Sequence, residues 1–207
     1  MDCIAPQPGE SICDPACGTG GFLFTAHNYI TGHNKNLTRD QLKHLKEKAF
    51  TGYELVQATA RVCAMNMMLH GIGSEKSVPV IVGDALSADP GERFEVVLAN
   101  PPFGKKSSTV IVGEDGRTST EKDTIERDDF WATTSNKQLN FVQHIKTLLK
   151  TNGRAALPIA TTCRRRSDRP RVSVNPTASL PPWLPSVYDS RRNRAVTAAL
   201  LSGRSDW

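Results

Sequence analysis

The 207-residue chain lacks the patterns that define several common protein classes. It contains no run of 18 apolar residues that would predict a membrane-spanning helix, and no signal peptide pattern is visible. Its five cysteines form no C-x-x-C pair, and their odd number is typical of a reducing, cytoplasmic compartment. Its five histidines show no ligand spacing, so we expect no metal site. The phosphate-binding pattern G-x-x-x-x-G-K-S/T is also missing, which argues against a nucleotide triphosphatase.

Lysine is absent from the last 50 residues, and this segment differs in composition from the rest of the chain. Residues 158–207 contain nine arginines, six prolines and three acidic residues, a net charge of +6, whereas residues 1–157 carry a net charge of −1. Apart from a short run at 195–201, residues 158–207 show neither helical nor strand periodicity, which favours a disordered tail. A basic tail of this kind is also suited to nucleic-acid phosphates. We therefore expect one folded domain in residues 8–157.

A glycine-rich turn follows the first apolar strand and precedes a helix. It consists of Asp14, Pro15, Ala16, Cys17, Gly18, Thr19, Gly20 and Gly21. Glycines let the backbone approach a ligand, and the following helix offers free N–H groups at its N-terminus. A nicotinamide site would begin similarly, but Leu23 stands where the G-x-G-x-x-G pattern requires its third glycine. Asp14 is instead placed to hold a cationic amino group.

A second motif ends the apolar strand at 94–98. It consists of Asn100, Pro101, Pro102 and Phe103. The prolines lack N–H donors and cannot continue a central strand, so they make a stiff turn. The Asn100 Oδ1 and the Pro101 carbonyl can accept the two hydrogens of a planar amine such as adenine N6, and Phe103 can stack on its ring. An ordinary exit from a strand is an equally good explanation of these four residues alone.

Taken together, the two motifs resemble those of the amino-directed DNA methyltransferases that use S-adenosylmethionine. Residues 104–108 and 126–141 are also similar to the modification subunit of type I restriction-modification systems, so the likeness covers residues 8–157. It implies that Asp14–Gly21 bind the cofactor and that Asn100–Phe103 form the catalytic motif for methylation of adenine N6. It also implies that Glu54 holds the cofactor's ribose hydroxyls, while Asp84 and the adjacent Ala85 lie at its adenine amine. The implied partners are DNA, a DNA-specificity subunit and a restriction subunit.

The order of apolar segments predicts an α/β fold. We expect strands at 10–16, 50–55, 80–82 and 94–99 and a fifth that starts at Arg154, with helices at 20–31, 38–49 and 56–70. A further helix should be capped by a box of Ser135 and Gln138 and end at Gly153. Alternating strands and helices are typical of a parallel sheet, and the resemblance makes it a Rossmann-like methyltransferase sheet. Because nothing resembles the family's last strands, we expect this sheet to be incomplete.

The core face of the helix at 56–70 is predicted to consist of Val56, Ala60, Cys63, Ala64 and Met67.

Residues 104–135 form a long polar insert directly after the second motif. Loops of this length in compact domains are usually functional or disordered, so a lid that the substrate orders is a reasonable interpretation. Lys105 and Lys106 in this insert either contact phosphates or are merely solvated.

Two other classes of function remain open. The chain could methylate a different planar amine, such as a glutamine side chain of a protein or a base in RNA. It could also be a non-catalytic, truncated product whose basic tail binds nucleic acid without sequence preference. Because the family's N-terminal helical domain and its first cofactor motif have no counterpart here, we expect the isolated chain to be inactive.

The family likeness stops near Leu157, in the middle of a strand that Pro158 interrupts. This pattern resembles translation in a shifted reading frame. We therefore predict that another frame of the encoding DNA continues the strand beyond codon 157 with family-like residues. Reading all three frames tests this, and the absence of any such continuation would favour an evolved basic extension.

Overall fold

The computed structural model describes residues 1–102 and 124–157 in full, together with the backbone of 158–159 and of short strands at 108–112, 118–122, 173–174 and 197–202. Its strands are β1 (Ile12–Asp14), β2 (Phe50–Glu54), β3 (Val80–Val82), β4 (Phe94–Leu98), β5 (Ser108–Val112), β6 (Thr118–Lys122), β7 (Ala132–Thr133), β8 (Leu149–Ile159), β9 (Ser173–Val174) and β10 (Thr197–Ser202). Its helices are α1 (Gly21–His33), α2 (Arg39–Glu47), α3 (Gln57–Leu69) and α4 (Lys137–Leu148).

The main sheet has six strands in the order β10-β8-β4-β1-β2-β3. All neighbours from β8 to β3 pair in parallel, whereas β10 pairs antiparallel with β8. Helices lie between β1 and β2, between β2 and β3 and between β4 and β8, whereas the described residues 83–93 join β3 to β4 without a helix. The predicted α/β fold with a parallel sheet is therefore confirmed.

Apolar side chains alternate between the two faces of the central strands, so that each face has its own core. Ile12 and Val96 point to the face covered by α1 and α3, where they pack with Met67. Cys13 and Val97 belong to the other face, against α4, in a cluster whose helical members are Ile145 and Leu148. This alternation follows from the two-residue period of a strand. Burial of both faces is the normal condition of a parallel sheet.

The helix predicted at 56–70 is present as α3, but its core face is narrower than expected. Ala60, Cys63 and Met67 are buried, and Ala64 is half-buried. Val56 is 53% exposed, contrary to the prediction. It precedes the helix as the N-cap residue with an extended backbone, so its side chain does not share the direction of the helical residues.

The structure corrects both ends of the last helix. Its N-cap is Asn136, whose side-chain oxygen accepts from the backbone N–H groups of Gln138 and Leu139 at 3.0 and 3.3 Å. The predicted capping box of Ser135 and Gln138 is therefore wrong, because the chain enters the helix one residue later. The helix ends at Leu148 and β8 follows at once, whereas Gly153 was expected to end the helix. Gly153 instead allows close packing: a Cβ there would lie 3.0 Å from the Phe94 carbonyl oxygen.

Two short strands come from the segment that was predicted to be a disordered tail. β10 completes the sheet edge beside β8, and β9 pairs antiparallel with β7. The backbone is paired at these strands, while the expectation of disorder for residues 158–207 as a whole stays a prediction. The other residues beyond 159 lie outside the described part of the chain. The insert contributes β5 and β6, which pair antiparallel with each other.

Among the described helices, none is both long and apolar enough to cross a membrane.

The corrected N-cap predicts a difference between two neighbouring substitutions. Asn136→Ala should lower the free energy of unfolding by about 1 kcal/mol, since two backbone N–H groups of α4 lose their acceptor. Ser135→Ala should change it by less than about 0.5 kcal/mol, as is usual away from such features. Urea unfolding of the full chain, followed by circular dichroism, measures both values. A larger loss of unfolding free energy in the Ser135 variant than in the Asn136 variant would instead support a capping box of Ser135 and Gln138.

Candidate functional site

Three acidic side chains lie at the carboxyl edge of the sheet, after three neighbouring strands. Asp14 is the last residue of β1, Glu54 is the last residue of β2, and Asp84 follows β3 by two residues. The parallel register pairs Asp14 with Gly52 and Glu54 with Val82, so the three strand ends are staggered along one edge. Ligands of open α/β sheets bind at this edge. The structure therefore brings together the three acids that the sequence analysis identified.

The same backbone contact orients each of these acids. The Asp14 Oδ1 accepts from the N–H of Ala16 at 3.0 Å, the Glu54 Oε1 from Val56 at 2.9 Å, and the Asp84 Oδ1 from Leu86 at 2.9 Å. In every case the donor lies two residues after the acid, as in an Asx turn. A carboxylate has about four lone-pair sites, so each acid retains capacity to accept from a ligand.

Asp14 is the most deeply buried of the three acids, with 2% of its surface exposed. The pKa of Asp14 is raised to about 7, mainly by burial; the Ala16 N–H opposes this shift, and the nearby Glu54 carboxylate adds to it. A cation beside this carboxyl would stabilise its ionised form and lower its pKa. Asp14 is thus chemically suited to an ammonium group.

The glycine-rich turn is held between β2 and α3. The Cys17 N–H donates to the Tyr53 carbonyl at 3.0 Å, and the Gly18 N–H donates to the Glu54 Oε2 at 3.1 Å. The exposed Thr19 has its carbonyl bound by the Asn66 side chain at 3.0 Å. Glu54 therefore links the turn to the end of β2, in addition to any contact it makes with a ligand.

Gly20 is required by the shape of this turn. It is the N-cap of α1 with φ 86°, and a Cβ there would lie 2.9 Å from the Cys63 Sγ. Gly18 also has positive φ, but the space beside it is open. Of the other turn residues, Pro15 and Cys17 are buried, Ala16 is half-buried, and Gly21 begins α1. The open side of the turn at Gly18 leaves room for a ligand.

The second motif begins where β4 ends. The Ala99 N–H still donates to the Ala156 carbonyl of β8 at 3.1 Å, and the chain leaves the sheet immediately afterwards. Asn100 and Pro102 are exposed, whereas Pro101 is buried. Phe103 lies outside the described residues. Because β4 neighbours β1, Asn100 follows the strand beside Asp14, on the side of β1 opposite to Glu54.

A buried polar cluster beside this edge was missed in the sequence analysis. Arg127 contacts the Leu86 carbonyl, His144 of α4 and Asp129. Burial and the Arg127 charge lower the pKa of His144 to about 4. One signal was available: Asn140, Gln143 and His144 repeat at helical spacing, and all three are buried. Polar side chains on a core-facing helix side indicate a hydrogen-bonded network.

The described residues contain no group of three or more potential metal ligands.

Comparison with known proteins points to one family. The model of the family "N-6 DNA Methylase" matches residues 1–167. The methylase subunit of the type I restriction enzyme StySPI from Salmonella potsdam is 38% identical over 161 residues, which are 74% of this chain and 27% of that protein. The methylase subunit of the type I restriction enzyme EcoKI from Escherichia coli K12 is 37% identical over 167 residues, 75% of this chain and 28% of that protein.

A solved structure shares the fold. The crystal structure of the type I restriction enzyme EcoKI M protein superposes with a TM-score of 0.61 at 34% identity, covering 75% of this chain and 31% of that chain. The chain thus spans little more than a quarter of the length of the curated relatives given above.

Proposed function

Since this chain belongs to the N-6 DNA methylase family, we propose that it carries the cofactor-binding and catalytic core of an adenine-specific DNA methyltransferase. The observation that supports this most is the common edge of the sheet, where Asp14, Glu54 and Asp84 follow three successive strands and Asn100 follows a fourth. Three carboxylates with free acceptor capacity and an exposed amide match a polar cofactor and a planar amine substrate.

The proposed cofactor is S-adenosylmethionine, and the residues present fit its polar groups. Asp14 receives the ammonium group, Glu54 the ribose hydroxyls, and Asp84 with Ala85 the adenine amine. The fit of Asp14 rests on its burial, because its raised pKa makes it a carboxyl that a cation stabilises. The turn from Pro15 to Gly21 borders the cofactor, with its open side at Gly18. When bound, the cofactor supplies an electrophilic methyl group.

In the proposed reaction the adenine leaves the DNA stack at a cost of about a few kcal/mol. The Asn100 Oδ1 and the Pro101 carbonyl accept the two hydrogens of N6, which directs the nitrogen lone pair toward the methyl group. The same two acceptors stabilise the positive charge that grows on N6 during transfer. Pro102 keeps the turn rigid, and Phe103 stacks on the base. No base is needed before transfer, because the attacking amine is neutral, and the methylated N6 releases its extra proton to water afterwards.

The relatives suggest the setting of this activity. Both curated proteins described above are methylase subunits of type I restriction enzymes. We propose that the protein acts on DNA within such a system, together with a DNA-specificity subunit and a restriction subunit.

The first test concerns the charge of Asp14. Folding raises its pKa from 3.8 to about 7, so the free energy of unfolding falls as pH rises from about 4 to about 7, and a cation bound beside the ionised Asp14 offsets this loss. Affinity for S-adenosylmethionine should therefore fall up to tenfold per pH unit below pH 7. Asp14→Asn should weaken binding at pH 8 by about tenfold or more and flatten the pH profile.

Isothermal calorimetry on the full chain measures these affinities. Asp40→Asn is the matched control, because Asp40 is an exposed residue of the distant helix α2. Unchanged affinity and an unchanged pH profile in the Asp14 variant would remove Asp14 from the site.

The second test separates catalysis from cofactor binding. In the assembled enzyme, Asn100→Ala should lower kcat for methylation by about 10²–10³-fold, the usual effect of removing one preorganised polar contact to a developing charge. Affinity for the cofactor should stay within about threefold, since Asn100 contacts the substrate base. Transfer of a radiolabelled methyl group to DNA gives the rate. Asn36→Ala, an exposed asparagine before α2, serves as the control. Near-normal turnover of the Asn100 variant would exclude the proposed mechanism.

A further inference from the structure

The guanidinium of Arg127 joins three separate parts of the molecule. Its side chain is only 7% exposed. The Nε and Nη2 atoms form a two-point ion pair with Asp129 at 2.9 and 2.7 Å. The remaining Nη1 donates to the Leu86 carbonyl at 3.2 Å and contacts the His144 Nδ1 at 3.3 Å. The planar group also stacks over the Phe130 ring, with its central carbon 4.3 Å from the ring centre.

The contact with Leu86 leads directly to a residue of the candidate site. The carbonyl of Leu86 accepts from Arg127, and its N–H donates to the Asp84 Oδ1 at 2.9 Å. The carbonyl of Leu86 is therefore bound by the Arg127 guanidinium, and its N–H by the Asp84 carboxylate. The backbone of the turn that follows β3 is also held by the Gly83 N–H, which donates to the Glu54 carbonyl at 3.0 Å, and by Ser87, whose N–H and hydroxyl donate to the Asp84 carbonyl at 3.1 and 2.7 Å. Arg127 adds the one charged donor that reaches the Leu86 carbonyl among the described contacts.

The contact with His144 gives Arg127 a defined position on α4. An arginine is always a donor, so the His144 Nδ1 is the acceptor and the imidazole is neutral. This agrees with the lowered pKa of His144. The other ring nitrogen, Nε2, is buried without a hydrogen-bond partner among the described residues. The neutral ring therefore accepts from Arg127 through Nδ1 and carries its proton on Nε2.

The segment that carries Arg127 is itself fastened to α4. The Gln143 amide accepts from the Ala132 N–H at 2.8 Å and donates to the Ala132 carbonyl at 3.0 Å. The Asn140 amide donates to the Thr134 carbonyl at 3.0 Å. Arg127 therefore extends from a fixed segment, at the C-terminal end of the insert that follows Asn100, to the turn at Asp84.

We propose that Arg127 is a positioning residue for cofactor recognition, which orients Asp84 toward the cofactor's adenine amine by holding the turn at Leu86. This inference rests on the proposed function. It also connects the C-terminal end of the insert with the cofactor site, because the contact joins Arg127 to the residue whose N–H binds Asp84. Arg127 itself does not touch the cofactor in this role.

The test measures selectivity for the adenine amine rather than affinity alone. The full chain is titrated with S-adenosylhomocysteine and with its inosine analogue, which carries a carbonyl in place of the amine. The wild-type chain should prefer the adenine compound by about tenfold or more, the effect of one hydrogen bond to a charged group. Arg127→Met removes every donor and should reduce this preference to less than about threefold. Asp84→Asn should do the same.

The double variant distinguishes positioning from an unrelated loss. If Arg127 acts through Asp84, Arg127→Met combined with Asp84→Asn should lose no more selectivity than either single variant. Arg93→Met is the matched control, because Arg93 makes the same two-point ion pair with Asp89 at an exposed site. Its selectivity should equal that of the wild type.

Each outcome decides one of the two proposals. Absence of cofactor binding by the wild-type chain would contradict the proposed function. Normal binding with full selectivity in Arg127→Met would overturn the role of Arg127 and leave the proposed function intact. Should Arg127→Met fail to fold, Arg127→Lys takes its place. A lysine has one donor centre and cannot hold Asp129, His144 and Leu86 together, so its selectivity should also fall, and retained selectivity would reject the inference.

Discussion

The parallel pairing of β1 with β2 and β4 is the constraint on which the rest of the structure depends. It places the carboxyl ends of the strands at one edge, so that residues distant in the chain become neighbours there. Asp14 and Glu54 are 40 positions apart in the sequence, yet the Gly18 N–H after β1 binds the Glu54 carboxylate at 3.1 Å. The buried faces of these strands leave little freedom in register, because a shift by one residue would exchange the two cores.

Burial of charge gives this edge its chemical character. A carboxyl with 2% exposure is unfavourable in its ionised form, and the pKa of Asp14 near 7 expresses that cost. The Arg127 guanidinium, whose side chain is only 7% exposed, differs from Asp14 because it is paired within the protein with the more exposed Asp129, to which Thr147 also donates a hydrogen bond. Asp14 is thus left for a ligand to neutralise, whereas Arg127 is neutralised by Asp129 within the protein.

The polar side of α4 holds the chain at the C-terminal part of the insert. The side chain of Gln143 binds both the N–H and the carbonyl of Ala132, as a neighbouring strand would. This contact fixes the chain on the far side of the insert, while the end of β4 fixes it at Ala99. The chain is thus held on both sides of the insert, and Arg127 links its C-terminal part to the turn at Asp84.

The sequence by itself determined the parallel α/β fold, the bounds of β2, β3 and β4 to within one residue and the positions of the two motifs, because these depend on local periodicity and on the chemistry of glycine and proline. It did not determine the bounds of β1, predicted at 10–16, or the start of β8, which lies at Leu149 and not at Arg154. It did not determine the cap at Asn136, where two polar neighbours compete and packing selects one. It did not place β10 beside β8 either. The contact of Arg127 with Leu86 spans 41 positions, and its partner is a backbone carbonyl that every residue possesses. Only the tertiary structure decides such a contact, since no local pattern distinguishes one carbonyl from another.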